Sequence, residues 1–560
     1  MGNDNSNQFD TIILGSGLGG STLATILAKH GLHVLIIDKK SHPRFAIGES
    51  LTTHTELFLK LLSRQYEIPE FDHLSSFKNV RENVSTSACG YKRAFNFLYH
   101  NEGKEQSANE RLQFGAGHSS HLFRQEVDHY LVKAAVKYGA QLLENISVLD
   151  IEICEHGVKV IAKGGKSFTS DYLVDASGYN SILARKFNLR EHPTRFKTHT
   201  GSLFTHMVNV KGTDEVVQEP HKRARKIPWK RGTVHHMFKE GWMWVIPFDN
   251  YEQSTNPVCS VGINFNSRYA SRRSLEPEQE FRQFVMRFPS IASQFESAQT
   301  VQNWVSTDRT QYSSRACVGE RFYILPHSSG FIDPIFSVGL AQTLLTINPL
   351  AALILQAASE KDFSSQRFLP LEKLQKKIFD YNDTIAYCTY VSFRDFNLVN
   401  AWLRIWIMQH LMPIWKLGYS QMDLYTKKGL QYDQDYVLSR LTDPMYLEEL
   451  DTQNSSWGND YVLKAVAEIE KVDKGLISPD EAASNITSAL NSAGWLFRAM
   501  GIGNTSQRYL DLATSKRFNF SLLLFTFWAK LFLDEDQRPF DLKVSISELF
   551  GLYAASPSPQ

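Results

Sequence analysis

The segment Gly15-Ser16-Gly17-Leu18-Gly19-Gly20 constrains this chain more than any other. An apolar run, Phe9–Leu14, precedes it and reads as a buried strand. From Gly19 to His30 the spacing turns helical, with Leu23, Ile26 and Leu27 on one face, and His33–Ile37 reads as a second strand that ends at Asp38. The glycines therefore sit at the first turn of a β-α-β unit. Gly15 allows the tight turn, Gly17 lets backbone approach a pyrophosphate, and Gly20 lets helix and strand pack closely. The N–H groups of the helix start, from Leu18 on, face the phosphates. Asp38 lies 23 positions after Gly15, near the spacing expected of a ribose-binding acid. A glycine-rich turn with no ligand is the plainer alternative, and the two strands, the helix and the acid together outweigh it.

At 560 residues the chain is long enough for two or more domains, and 42% hydrophobic residues supply a core. A net charge of +1 argues against a nucleic-acid partner held by bulk charge. The five cysteines are scattered with no CxxC, so neither a disulfide framework nor a zinc site is expected, and the chemistry suits a reducing cytoplasm. His235-His236 lacks a further ligand at metal spacing, so no metal is expected. The apolar runs near 401–408 and 522–533 are too short for a bilayer, which needs about 20 residues, so no membrane partner is expected.

Further along, 148–153, 158–162 and Tyr172–Asp175 read as strands returning to the nucleotide sheet, with Asp175 at the turn. The runs 202–210, 233–238, 242–247 and 259–265 alternate as an antiparallel sheet does. After Gly339 the pattern is helical almost to Leu552, and its aromatics, Trp402, Trp406, Trp415, Trp495 and Trp528, read first as core packing.

Four further segments hold candidate chemistry. Pro43-Arg44-Phe45-Ala46-Ile47-Gly48-Glu49-Ser50 follows the second strand, where Arg44 can face phosphate or adenine and Gly48 suits close approach to a ring; an ordinary Arg44–Glu49 surface pair is the plain alternative. Arg124 opens a helix and can serve the same ligand. Lys92 lies in an alternating strand on a face shared with Ala94, Asn96 and Leu98; if that face is inward, its ammonium is desolvated and shifts toward neutrality. Trp242-Met243-Trp244-Val245-Ile246-Pro247 is a strand stopped by proline. In Phe331–Gly339 the N–H groups of Val338 and Gly339 can form a concave anion nest, reinforced by the dipole of a helix starting near Leu340. The basic stretch Lys222, Arg223, Arg225, Lys226, Lys230 and Arg231 reads as a solvated loop, with a docking patch for an acidic carrier protein as the alternative.

Taken in order, Gly15–Gly20, Pro43–Ser50, Lys92, Trp242–Pro247 and Phe331–Gly339 resemble the motifs of the flavin-dependent halogenases. The segments Ser87–Phe97, His121–Asp128, Thr205–Val210 and Gly330–Ser337 are similar to the phenol-halogenating branch. The resemblance implies an α/β fold: a Rossmann-like FAD-binding domain with an antiparallel β-sheet layer, of the flavoprotein hydroxylase type, and a mostly helical C-terminal region. It places the FAD-binding core at 8–345, with the substrate-side sheet at about 75–120 and 200–310, and a helical domain closing the pocket at 346–555. It implies reduced FAD supplied by a separate flavin reductase, oxygen, and chloride or bromide. Hypohalous acid forms from halide held at Val338 and Gly339, and Lys92, supported by Ser337, delivers it to a small phenolic substrate. Lys39, Ile47, Glu49, Ser50, Asp333 and Leu340 join the glycines, Asp38, Arg44, Arg124 and Asp175 as FAD contacts. Trp242, Trp244, Ile246, Pro247, Pro334 and Phe336 line the flavin side. Phe336 stands where tryptophan halogenases carry a glutamate, which favours an activated phenol over indole. A flavin hydroxylase inserting oxygen directly, insensitive to halide and to Lys92, is the competing expectation.

Overall fold

The computed structural model describes residues 7–217, 227–268, 275–410, 459–492 and 501–510. The chain divides into two compact units, Met1–Phe396 and Asn397–Gln560. The boundary falls later than the expected 345/346 because the helices Gly339–Glu360 and Ser365–Ser392 bury apolar side chains, among them Leu344, Ile347, Leu350, Phe368 and Leu371, in the core of the nucleotide sheet.

That sheet begins with β1 (Gln8–Leu14) and β2 (Val34–Ile37), the two strands read from the glycine turn, paired in parallel. Adding β5 (Gln141–Leu143), β8 (Ser167–Asp175), β15 (Val318–Gly319) and β16 (Phe322–Ile324) gives the order β15-β16-β8-β1-β2-β5, with the hairpin β6 (Val148–Cys154) and β7 (Gly157–Ala162) attached to β8. β1 and β2 are apolar on both faces because helices cover both, as parallel sheets require. The helix Leu18–Lys29 covers one face, packed so closely on the turn that a methyl on Gly20 would overlap the carbonyl of Gly15. The helix Gly339–Glu360 is the described helix long and apolar enough to cross a membrane, and 67% of its apolar window is buried in the protein.

The second sheet runs β13 (Gln299–Thr300), β9 (Thr200–Val208), β12 (Cys259–Asn266), β11 (Gly241–Pro247), β10 (Gly232–Phe238), β3 (Gly90–Tyr99) and β4 (Arg111–His121), with β14 (Val305–Thr307) also on β9. β10 and β3 pair in parallel; the other pairings are antiparallel. The ladder between β3 and β4 is irregular: pairing steps from Lys92↔Ser119 to Ala94↔Gly115, two residues on one strand against four on the other. Such bulges break alternation and re-aim side chains.

In the second unit, residues 396–410 are helical from their start in the first, and Trp402 and Trp406 are buried, as core packing predicts. The helices Asn459–Asp473 and Pro479–Ser492 pack together through Ala465, Ile469, Ala482 and Ile486. Trp415, Trp495 and Trp528 lie outside the described residues.

Gly262 on β12 lies directly beneath the indole of Trp244, so a methyl there would overlap the ring. Gly262→Ala is expected to displace Trp244 and destabilise the protein by about 1–3 kcal/mol, as overpacking of a full core does. A fall in Tm with a shift in tryptophan emission checks this.

Candidate active site

Gly15 adopts φ +101°, and Gly17 caps the helix Leu18–Lys29 without a side-chain partner, which leaves the first-turn N–H groups open to an anion. A methyl on Gly17 would meet only Arg44 Nη2, at 3.8 Å, so the space beside the turn is clear. Asp38 Oδ2 accepts from Ser16 N (2.8 Å), Ser16 Oγ (2.7 Å) and Arg44 Nη2 (3.1 Å), and Oδ1 accepts only from Lys40 N (2.9 Å). Burial raises the Asp38 carboxyl, but Arg44 and these hydrogen bonds outweigh it and hold the group below its ordinary pKa. A charged carboxylate with one oxygen still able to accept suits a ribose hydroxyl. Lys39 is exposed beside it. These residues fit the dinucleotide half of FAD.

Asp175 is a different case. Oδ1 accepts from Ser177 N and Oγ, and Oδ2 from Ser181 Oγ and Leu183 N, so the carboxylate is spent on shaping the turn after β8. Its expected role as a cofactor contact gives way to that of a scaffold residue.

The segment after β2 is fixed from two sides. Arg124 grips Asp128 through two bonds (2.7 and 3.0 Å) and turns its remaining nitrogen to the carbonyls of Ile47 (2.7 Å) and Gly48 (3.2 Å). Glu49 points into the second sheet, onto His206 Nε2 (2.7 Å) and Ser260 Oγ (3.0 Å), and Arg44 pairs instead with Asp38. The surface pair Arg44–Glu49 is therefore not formed.

Trp242, Trp244 and Ile246 share one buried face of β11. Trp244 donates to Ser260 Oγ (3.2 Å), and Trp242 to Tyr390 Oη (2.9 Å), whose hydroxyl donates to Asp333 (2.8 Å). Burial raises the Asp333 carboxyl to about 7 against the pull of these bonds. Asp333 thus anchors the turn 330–339 to the sheet. Ser337 is left-handed there (φ +55°), and Val338 caps the helix Gly339–Glu360. No described residue accepts from the N–H groups of Val338 or Gly339, which line a cleft with Pro334's neighbours Asp333, Ile335 and Phe336, and with His327. His327, lowered to about 4 by burial and then by Arg124, lies neutral against Gly339, while Leu340 turns into the core.

Lys92 is fully buried, as are Ala94, Asn96 and Leu98 of its row. The irregularity beside it brings its ammonium over the Phe95 ring, 3.7 Å from the centroid, while Asn96 bonds the Trp229 carbonyl and Gln113 elsewhere. Its hydrogen-bond partners are Ser50 Oγ (2.7 Å) and the Leu51 carbonyl, so Ser50, expected on FAD, replaces Ser337 as the hydroxyl on the lysine. Ser50 in turn meets Thr233 (2.7 Å), Thr233 meets His121 Nε2 (3.0 Å), and His121 Nδ1 meets the Pro247 carbonyl (3.0 Å). A carbonyl only accepts, so Nδ1 carries the proton of a neutral imidazole, and the hydroxyls of Thr233 and Ser50 donate in turn toward it. Burial, and secondarily Lys92, keep His121 neutral by lowering it to about 3. Burial lowers Lys92 itself to about 7, against the raising influence of Glu56. Sequence reasoning missed Glu56; its signal was the helical row it shares with Leu59 and Ser63, both buried.

An open helix start on a Rossmann-like sheet, beside a second sheet with an enclosed amine, suits an enzyme that binds a flavin dinucleotide. Residues 8–260 match the FAD binding domain family model. The chain is 41% identical over 505 residues to monodechloroaminopyrrolnitrin halogenase PrnC of Pseudomonas fluorescens, covering 89% of this chain and 87% of that protein. It is 39% identical over 518 residues to tetracycline 7-halogenase of Kitasatospora aureofaciens, covering 91% of each. The crystal structure of halogenase PltM in complex with phloroglucinol and FAD matches with TM-score 0.78 at 30% identity, over 90% of this chain and 99% of that one. The chain belongs to the flavin-dependent halogenases, FAD-using oxidoreductases that halogenate aromatic substrates, and the hydroxylase reading is set aside.

Arg124→Ala would leave Asp128 charged and buried without a partner and release the loop at 47–48. A loss of about 3–5 kcal/mol is expected from breaking such a pair, with FAD affinity falling together with stability; thermal melts and flavin fluorescence titration measure both.

Proposed function

We propose that this enzyme halogenates a small, electron-rich phenol, with Lys92 delivering the halogen. The observation that carries this reading is the buried amine of Lys92, held by Ser50 and Leu51 against Phe95 and brought by burial to about neutrality. The bound FAD, reduced by a separate flavin reductase, supplies with oxygen the oxidising equivalents that turn halide into hypohalous acid. The chain's own residues do the rest. Val338 and Gly339 N–H groups hold chloride or bromide in the cleft beside Phe336. Trp242, Trp244, Ile246 and Pro247 wall the flavin side from the substrate. Lys92, by hydrogen bond or as a haloamine, presents positive halogen to the ring, and its fixed position sets which carbon reacts. Phe336 offers no acid at the turn, so the substrate oxygen must activate the ring, as a phenol does; the phloroglucinol bound to PltM supports that class.

The alternative of a carrier-bound substrate rests on the basic stretch. Lys222, Arg223, Arg225 and Lys226 lie outside the described residues. A free small phenol is the reading kept.

With FAD, a reductase, NADH and bromide or chloride, a phenol panel is expected to give halogenated product by mass spectrometry. Lys92→Ala is expected to lower halogenation at least about 100-fold while reduced flavin is still consumed. Product formation by wild type should rise with pH through about 7, as Lys92 loses its proton. Hydroxylated product, or halogenation undiminished in the variant, contradicts the reading.

Gly339→Ala would press a methyl onto the His327 ring, 2.6 Å from Nε2. The halide KM is expected to rise about 10-fold, about 1.4 kcal/mol, with FAD affinity unchanged.

A further inference from the structure

Lys92 is not alone in its enclosure. Glu56 stands on the helix Thr53–Gln65, which begins just after Leu51, the residue whose carbonyl accepts a hydrogen bond from the lysine. Its Oε1 is buried with no hydrogen-bond partner in the described structure. Across from it is Ser119, the cross-strand partner of Lys92. The carboxyl and the amine influence one another without forming an ion pair. Ser119 donates toward the carboxyl, but a buried carboxyl oxygen left without a donor is costly unless another group comes to meet it.

We infer that Glu56 is the proton acceptor of the halogenation step, taking the hydrogen that the aromatic carbon loses once halogen has been added. The inference rests on the Lys92 reading above and deepens it. The atoms balance as follows. The ring carbon attacks the halogen of hypohalous acid, or of the haloamine on Lys92. A carbon–halogen bond forms, and the oxygen–halogen or nitrogen–halogen bond breaks with its electron pair leaving on oxygen or nitrogen. The carbon–hydrogen bond then breaks, its electrons restore the aromatic ring, and Glu56 holds the proton until it passes to the hydroxide or amine left behind. The sum is phenol plus hypohalous acid giving halophenol plus water, with no further oxidant.

Burial raises Glu56 to about 7, partly offset by Ser119, Lys92 and Lys60, so it gains and loses a proton readily near neutrality. The other titratable groups around this pair are silent in that range: burial lowers His54 to about 4, and His121 and His235 to about 3. Glu56 and Lys92 therefore titrate as a coupled pair whose apparent values belong to both.

The test uses full-length enzyme with FAD, reductase and halide, on a phenol that Lys92-dependent enzyme converts. Glu56→Gln keeps shape and removes the acceptor. Its kcat is expected to fall about 10–100-fold with KM within about twofold. Ring-deuterated substrate is expected to show a primary isotope effect in the variant that wild type lacks, because loss of the ring proton becomes limiting. Glu56→Asp should recover part of the rate. Unchanged melting and FAD titration keep folding out of the comparison. A pH profile displaced in Glu56→Gln with no isotope effect would make Glu56 a mere counter-charge and overturns the inference; so does an unaltered kcat. Should Lys92→Ala halogenate normally, the parent reading fails instead, whatever Glu56→Gln does.

Discussion

Burying one amine without an ion pair is the constraint around which this site is built. Desolvation favours loss of the Lys92 proton, and Glu56, the carboxyl that acts on it electrostatically, forms no ion pair with it among the described residues. What holds the side chain is neutral: a hydroxyl, a backbone carbonyl and the face of an aromatic ring. Such partners stabilise either protonation state, whereas a bonded carboxylate would lock the ammonium charged. The donor chain Ser50, Thr233, His121 and Pro247 extends this arrangement across three strands, and the motif strand Trp242–Pro247 ends at its last acceptor. A nucleophilic amine near neutrality is thus a product of packing rather than of a neighbouring base.

The same sheet fixes the span between the turn 330–339 and Lys92. β10 carries both attachments. His235, stacked between Phe97 and Trp242, sits 3.1 Å from the Ile335 carbonyl in the anion turn, and Thr233 sits on Ser50 beneath Lys92. These two residues are separated by two positions on one strand, about 7 Å along it. A rigid strand therefore sets the span between the turn and the amine, with Trp242, Phe97 and Phe95 as the apolar material along it.

Much of this was legible before any coordinates. The β-α-β unit, Asp38, the Trp242–Pro247 strand and the turn before Gly339 announce themselves through local spacing, because each is dictated by backbone geometry within about thirty residues. What failed to show were partnerships between distant elements. The partners of Lys92 lay beyond reach of the pattern, because they come from Ser50 and Leu51 and β3 and β4 are irregular beside it. Ser50 looked like a flavin contact because it adjoins Gly48, yet its hydroxyl turns to the lysine. Asp175 stood at the mouth of the nucleotide sheet, but four donors from its own turn consume it. Glu56 belonged to a helix whose apolar row gave the only hint.

Asp333 shows how one residue can serve the fold and the site together. Its carboxyl takes the Tyr390 hydroxyl, that hydroxyl takes the Trp242 indole, and its other oxygen takes the amide of Ile335 within the turn. The turn, the tryptophan and the helix Ser365–Ser392 are thereby joined at a single acid. With its pKa raised to about 7, part of the population is protonated at neutral pH, which lessens the cost of keeping a carboxyl out of water. In the proposed halide site, a protonated Asp333 would not repel an anion at Val338 and Gly339, and a full negative charge a few residues away would. An acid beside such a turn suits an anion better the more its neutral form is favoured, and burial raises this one toward neutrality.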